Sequence, residues 1–283
     1  FSSTISGWQS RYTRKKLIFA SVKTEKITSA RNERIRQVLE LQEKSRTRRA
    51  LGLFVVEGRR ELEHCLEAGY ELDSVFWCPE ILPELPQELI GDVPVSELTA
   101  ELYGKIAYRG GTEGIVARVK ARPHTLEDLT LKDNPLIVVL ESVEKPGNLG
   151  AVFRSADAAG ADAVIICDPL TDLYNPNLIR SSIGGVFTVQ SAVCDSASAI
   201  SWLKARGMKI LTAQLQDSSW YYDVDMKGGT AIVIGTEATG LTEQWREAAD
   251  AHIRIPMLGA LDSLNASVSA AILLFEAVRQ RNS

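Results

Sequence analysis

Three short stretches gather small and polar residues in a way that would suit chemistry: "EKPGNLGAVFR" (residues 144–154), "GTEATGL" (235–241) and "IPMLGALDSLN" (255–265). Between them they offer two carboxamides (Asn148, Asn265), a guanidinium (Arg154), a carboxylate (Glu237) and a hydroxyl (Ser263). Such groups bind anions and orient hydroxyls. None of the three histidines, His64, His124 and His252, falls in these stretches, so no Ser–His–Asp arrangement is expected. No GxxxxGK[ST] or GxGxxG is present, which argues against a ligand held by its phosphates. The apolar run from Ile255 to Leu258, with free backbone N–H and C=O groups, suits a flat uncharged heterocycle such as adenine. Arg154 is expected in the first turn of a helix, where the positive dipole end disfavours a cation, so an external anion or a carboxylate should lie nearby. Each feature also has a plain alternative. Gly147, Gly150, Gly235 and Gly240 would serve as turn residues, Asn148 likewise, and Asp262 or Ser263 would cap the last helix.

The elements that must position these stretches follow from hydrophobic patterning. "LIVVLE", "DAVIIC", "VFTVQ", "MKILTA", "TAIVIG" and "HIRI" read as strands, alternating with helical stretches near 176–182, 196–206 and 242–249. Continuous β-branched strands between helices predict a parallel sheet covered on both faces, with ligands at the carboxyl ends of the strands. The three stretches each follow one of these strands and would meet at that edge. Ahead of them, an apolar stripe among Arg residues predicts a helix from Ile27, followed by the strand "LFVVEG", a helix over 60–68, the strand "LDSVFWC", a helix start at "SELTAELYGKIA" and the strand "GIVARVKA". The expected organisation is therefore a basic tail over 1–26, an α/β domain over 27–121, a Pro- and charge-containing linker over 122–133, and a second α/β domain over 134–283.

Charge separates the two ends of the chain. Its formal charge is −4, yet residues 1–60 hold fifteen Lys or Arg against five Asp or Glu, a net of +10, leaving −14 on the rest. A basic front on an acidic chain suggests a polyanion partner, since clustered cations gain by releasing counterions from phosphates; a solvated helix face is the alternative. Residues 1–24 contain five basic residues and no acid, as a disordered RNA-binding tail or an organellar targeting peptide would. No apolar run approaches the roughly 20 residues of a membrane span. The four cysteines show no CxxC spacing and do not cluster with the histidines, so no metal site is expected and the thiols should be reduced and structural.

Taken together, "NLGAVFRSADAAG", "GTEATGL" and "IPMLGALDSLNASVSAAI" resemble the three ordered motifs of the SpoU (TrmH-type) family of the SPOUT class, RNA ribose 2′-O-methyltransferases that use S-adenosylmethionine (AdoMet). The resemblance covers about residues 134–283, and "FVVEGRRELEHCLEAG" resembles the ribosomal-protein-like RNA-binding domain many members carry in front. It implies a parallel sheet with a trefoil knot, an exception to unknotted topology. It further implies AdoMet held by Gly235, Ile255, Met257 and Leu264, with Arg154, Asn148, Glu237 and Asn265 as catalytic residues and Arg154 and Ser263 on the substrate. Asp262 stands where Glu or Ser is commoner in the family, and Ala266 where Val is common. Ribosomal RNA of the large subunit is the favoured substrate, with tRNA or a non-catalytic ribosome-assembly role as alternatives. A homodimer is expected, with the last helix (Val268, Ile272, Phe275, Val278) either at the subunit contact or buried in its own subunit. Cytoplasmic location is expected, a plastid or mitochondrial one being the alternative given the acid-free N-terminus.

Overall fold

The computed structural model describes residues 24–108, 110–236 and 238–283. The acid-free stretch 1–23, expected to be a tail or targeting segment, lies outside the described residues, as do Arg109 and Glu237. The front half runs β1 (Thr24–Ile27), α1 (Glu33–Glu43), α2 (Ser45–Leu51), β2 (Leu53–Glu57), α3 (Arg59–Glu67), β3 (Leu72–Trp77), α4 (Gln87–Ile90), β4 (Val95–Leu98), α5 (Ala100–Ile106) and β5 (Ile115–Lys120). These strands form a sheet in the order β1-β4-β3-β5-β2. Residues 24–27 are thus a strand parallel to β4 and not the end of a tail or the start of a helix. The helix starts later, after Asn32, whose side chain accepts the Arg34 N–H at 2.9 Å, and it buries Ile35, Val38 and Leu41. The stretch expected as one helix start at Ser96 divides instead into β4 and α5. Thr99 marks the division, its hydroxyl accepting the Leu102 N–H at 3.3 Å as an N-cap.

The second half continues with β6 (Leu136–Glu141), α6 (Pro146–Ala158), β7 (Ala163–Cys167), α7 (Pro176–Ser182), α8 (Gly185–Thr188), β8 (Gln190–Cys194), α9 (Ser196–Ala205), β9 (Lys209–Ala213), β10 (Ser219–Trp220), a 3-10 turn (Tyr221–Asp223), β11 (Thr230–Ile234), α10 (Glu243–Ala248), β12 (Ala251–Arg254) and α11 (Ala266–Arg281). Its sheet has the order β10-β12-β9-β11-β6-β7-β8, and every pairing is parallel. β6, β7 and β11 are buried along their whole length, which is why they read as unbroken apolar runs. Alternate residues serve opposite faces. Val138, Leu140, Ile232 and Ile234 pack with α6 and α11, whereas Ile137, Val139, Ala231 and Val233 pack with Trp202 and Leu203 of α9 and Trp245 of α10. The stretch "VFTVQ", expected as a strand, is mostly the helical turn α8. Ile183 and Gly184 take left-handed backbone that redirects the chain, and the strand β8 starts only at Gln190.

One apolar core runs through both halves, with Phe54 of β2, Leu62 of α3 and Tyr70 in the same cluster as Phe153, Val186 and Phe187. Phe54 stacks on Tyr174 with ring centroids 4.1 Å apart, and the buried Arg48 donates from Nε to Asp172 Oδ1 at 2.9 Å. The segment expected as a linker is fastened at this junction. The Arg122 N–H donates to the Tyr174 hydroxyl at 3.0 Å, and His124 sits 2.9 Å from the Tyr174 hydroxyl and 3.2 Å from that of Tyr70 through Nε2. Its Nδ1 lies 2.9 Å from Ser191 Oγ. Burial, helped by the nearby Arg122 charge, holds the His124 imidazole below its ordinary value. A lowered histidine pKa means the neutral form is favoured on folding. Its contribution is present above about pH 6.5, the unfolded value, and is lost as pH falls towards the folded value. Denaturant midpoints measured at pH 7.5 and pH 5.5 should therefore drop more in the wild type than in His124→Gln. Equal drops would contradict this assignment.

Candidate functional site

The loop after β6 turns at Ser142, whose φ is +51°, and enters α6 with Pro146 as its first residue. This start is earlier than the sequence suggests. Asn148 falls in the first turn, while Arg154, expected there, lies well inside the helix. At 1.5 Å per residue Arg154 is about 9 Å further along the axis than Asn148. At that depth Arg154 is out of reach of the positive dipole end, which gives no reason for an anion beside it. Arg154 is exposed and makes no ion pair among the described residues, and it lines neither of the two clefts described below. Gly150 is set by packing and not by a turn: a Cβ there would lie 2.6 Å from the Leu178 carbonyl oxygen and against the Ser181 hydroxyl, so α6 and α7 can approach only over a glycine.

The loop after β11 closes on itself. The Thr236 N–H donates to the Gly240 carbonyl at 3.3 Å and the Gly240 N–H returns to Thr236 at 3.1 Å, while the Thr239 N–H reaches Thr236 Oγ1 at 3.0 Å. Gly240 has φ +68°, and Gly235 lies so close to Gly240 and Leu241 that a side chain would meet their backbone. Both glycines therefore answer to local geometry. Glu237 lies outside the described residues.

The loop after β12 leaves the sheet at Ile255 and returns at Asn265, which caps α11 by accepting the Ser267 N–H at 2.9 Å. The cap is Asn265, so Asp262 and Ser263 are left outside the helix, with the Ser263 hydroxyl donating to Asp262 Oδ1 at 3.2 Å. Ile255, Met257, Leu264 and Ser263 come together in one cleft, completed by Ala213 and Leu215 after β9 and by Leu273 of α11. Its cavity volume is about 140 Å³ and it opens to solvent, so it is smaller than a whole small-molecule site of roughly 300–1,000 Å³ and matches one part of a ligand, such as a heterocycle. Its wall is aliphatic, with Gln214, Arg254 and Asp262 at the polar points, a composition that fits a purine with hydroxyls beside it.

A second cleft lies between the first two loops and is lined by Lys145, Asn148, Gly235, Thr236 and Ala266. The two clefts meet at α11, because Asn265 Nδ2 donates to Asn148 Oδ1 at 3.1 Å. Asn148 and Asn265, 117 residues apart in the chain, are thus joined as the three-loop convergence requires. Gly235 stands beside Asn148 and not among the residues of the apolar cleft.

Sequence reasoning missed several cleft residues. Ala213 ends β9 and Gln214 and Leu215 follow it, and only the sheet order, with β9 between β12 and β11, places them at the site. It also missed Glu141, which the strand pattern presents merely as the polar end of "LIVVLE", yet which is buried and bonded to Thr242.

Comparison with known proteins agrees with this geometry. Residues 135–275 match the SpoU rRNA Methylase family and residues 32–117 the MRM3-like substrate binding domain. The 23S rRNA (uridine(2479)-2′-O)-methyltransferase of Streptomyces viridochromogenes is 32% identical over 271 residues, covering 90% of this chain and 92% of that protein. A 23S rRNA (guanosine-2′-O-)-methyltransferase of Vibrio vulnificus is 34% identical over 207 residues, covering 71% of this chain and 84% of its own. Among solved structures, an AdoMet-bound rRNA methyltransferase from Sinorhizobium meliloti superposes with a TM-score of 0.83 at 28% identity, over 90% of this chain and 98% of that one. The ordered motifs, the parallel sheet that brings them together and these likenesses over nearly the whole chain give one conclusion: the protein belongs to the SpoU family of RNA 2′-O-methyltransferases.

Proposed function

We propose that the protein transfers a methyl group from AdoMet to a ribose 2′-hydroxyl of ribosomal RNA, with large-subunit RNA as the favoured substrate. The observation that carries this is the joining of Asn148 and Asn265 between an aliphatic cleft and a polar one. AdoMet supplies an activated sulfonium methyl. Its adenine suits the aliphatic wall of Ile255, Met257 and Leu264, and Gly235 borders the neighbouring space. Positioning should supply most of the rate, since the donor is already activated. Asn148, Asn265 and Ser263 would orient the ribose hydroxyl, and Glu237, by its place in the second motif, would take part in the same step. Arg154 would hold an RNA phosphate. A guanidinium has no free acceptor and stays protonated in proteins, so the hydroxyl proton leaves to phosphate or water. The purified protein should transfer labelled methyl from AdoMet to ribosomal RNA, and nuclease digestion should release the label as a 2′-O-methylnucleoside. Label on a base, or on tRNA alone, would reject the assignment.

The same proposal includes a homodimer. α11 buries Ala270, Leu273, Leu274 and Ala277 against its own sheet, and leaves Val268 45% and Phe275 47% exposed on the other side. The helix is therefore core along one face and offers an apolar stripe along the other, which supports a subunit contact there. Phe275→Asp should shift the protein from dimer to monomer in sedimentation velocity, and an unchanged dimer would contradict this contact. The return of α11 over α6, β6 and β11 at the middle of the sheet is consistent with the knotted path we propose for the C-terminal segment.

A further inference from the structure

β6 is aliphatic except at its last residue, Glu141, whose side chain is buried at 2% exposure. A buried carboxylate requires donors, and those of Glu141 come from distant parts of the chain. Thr242 gives its backbone N–H to Oε2 at 2.9 Å and its hydroxyl to Oε1 at 2.6 Å. The Ser196 hydroxyl, 2.6 Å from Asp168 Oδ2, lies 3.3 Å from the same Oε1 and accepts Trp245 Nε1–H at 2.9 Å. The positions of the two main partners matter. Glu141 immediately precedes the loop that leads to Asn148, and Thr242 immediately follows the closed 235–241 loop. Thr242 stands at the N-cap of α10 but does not use its hydroxyl there, since Glu141 takes it.

We propose that Glu141 is a positioning residue of the methyl-transfer site: it ties the root of the 235–241 loop to the root of the β6–α6 loop, and so fixes Gly235 relative to Asn148 across the polar cleft. This rests on the reading of the paired clefts as the AdoMet site. Hydrogen bonds to a charged group are among the stronger ones, so the AdoMet Kd should rise about 10-fold in Glu141→Gln, which keeps one acceptor, and about 100-fold in Glu141→Ala. Thr242→Val should raise it by an intermediate amount, and adding it to Glu141→Ala should change little further, because the two remove one interaction. Trp245→Phe serves as the control: it loses the bond to Ser196 in the same network without touching Thr242. It should lower the melting temperature while leaving the AdoMet Kd within about 2-fold. Isothermal calorimetry well below the melting transitions reads all five variants. Wild-type affinity in Glu141→Gln and Glu141→Ala, or losses in every variant that merely follow lost stability, would overturn the role. A wild-type protein that binds no AdoMet would overturn the donor-site reading and this role with it, a result distinct from loss confined to the variants.

Discussion

Replacing Arg154 with alanine lowers the rate of methyl transfer by about 100- to 1,000-fold, the usual loss when one group that organises transition-state charge is removed, and leaves AdoMet affinity within about 3-fold of wild type. The two parts of this expectation come from the same geometry. Arg154 is exposed on α6, lines neither cleft and has no ion-pair partner among the described residues, so the donor does not depend on it and the fold does not use it. In the proposed reaction the guanidinium, on the helix that carries Asn148, holds an RNA phosphate with two parallel N–H bonds. Arg154→Lys should recover only part of the rate, because an ammonium keeps the charge and loses the planar fork. Calorimetry that finds the loss mainly in AdoMet binding would move Arg154 to the donor side.

Gly235→Ala should act the other way, raising the AdoMet Kd by about 30- to 100-fold, equivalent to roughly 2–3 kcal/mol of strain. A Cβ at this position lies 2.7 Å from the Leu241 nitrogen and presses on the Gly240 carbonyl. These are backbone atoms held by the paired bonds between Thr236 and Gly240, so no side chain can swing aside. The loop must open to admit the methyl, and it opens into the cleft shared with Asn148. Gly235 is buried at the base of a loop whose residues 238–240 are exposed, so the strain stays within that loop and the cooperative unfolding transition should remain. An alanine variant with wild-type affinity would show that the closed loop does not define the donor site.

Much of this arrangement can be read from the residue pattern, and the exceptions have physical causes. The strands β6, β7, β9 and β11 are written as β-branched runs because both faces of a parallel sheet are buried. The three functional loops follow because each begins where such a run stops. Periodicity fails where a tertiary contact overrides it. Val186, Phe187 and Thr188 have strand-like composition, but Gly185 packs against the backbone of Phe153 and the segment forms a buried turn. The start of α6 was obscured because proline, glycine and asparagine resemble a loop, although proline is favourable as the first residue of a helix. Pairing across distant segments, as between Asn148 and Asn265 or Glu141 and Thr242, has no local signature. Strand order is equally silent in the residues, and it is strand order that adds Gln214 and Leu215 to the cleft.

If the two joined clefts work as one site for ribose methylation, the wild-type protein itself should show it. Incubated with ribosomal RNA lacking ribose methylation and with methyl-labelled AdoMet, it should place label on a ribose. Alkaline hydrolysis should then yield a labelled, alkali-resistant dinucleotide, because the blocked 2′-oxygen can no longer attack its phosphate. Label recovered only in alkali-labile mononucleotides would put the methyl on a base and contradict the proposed chemistry.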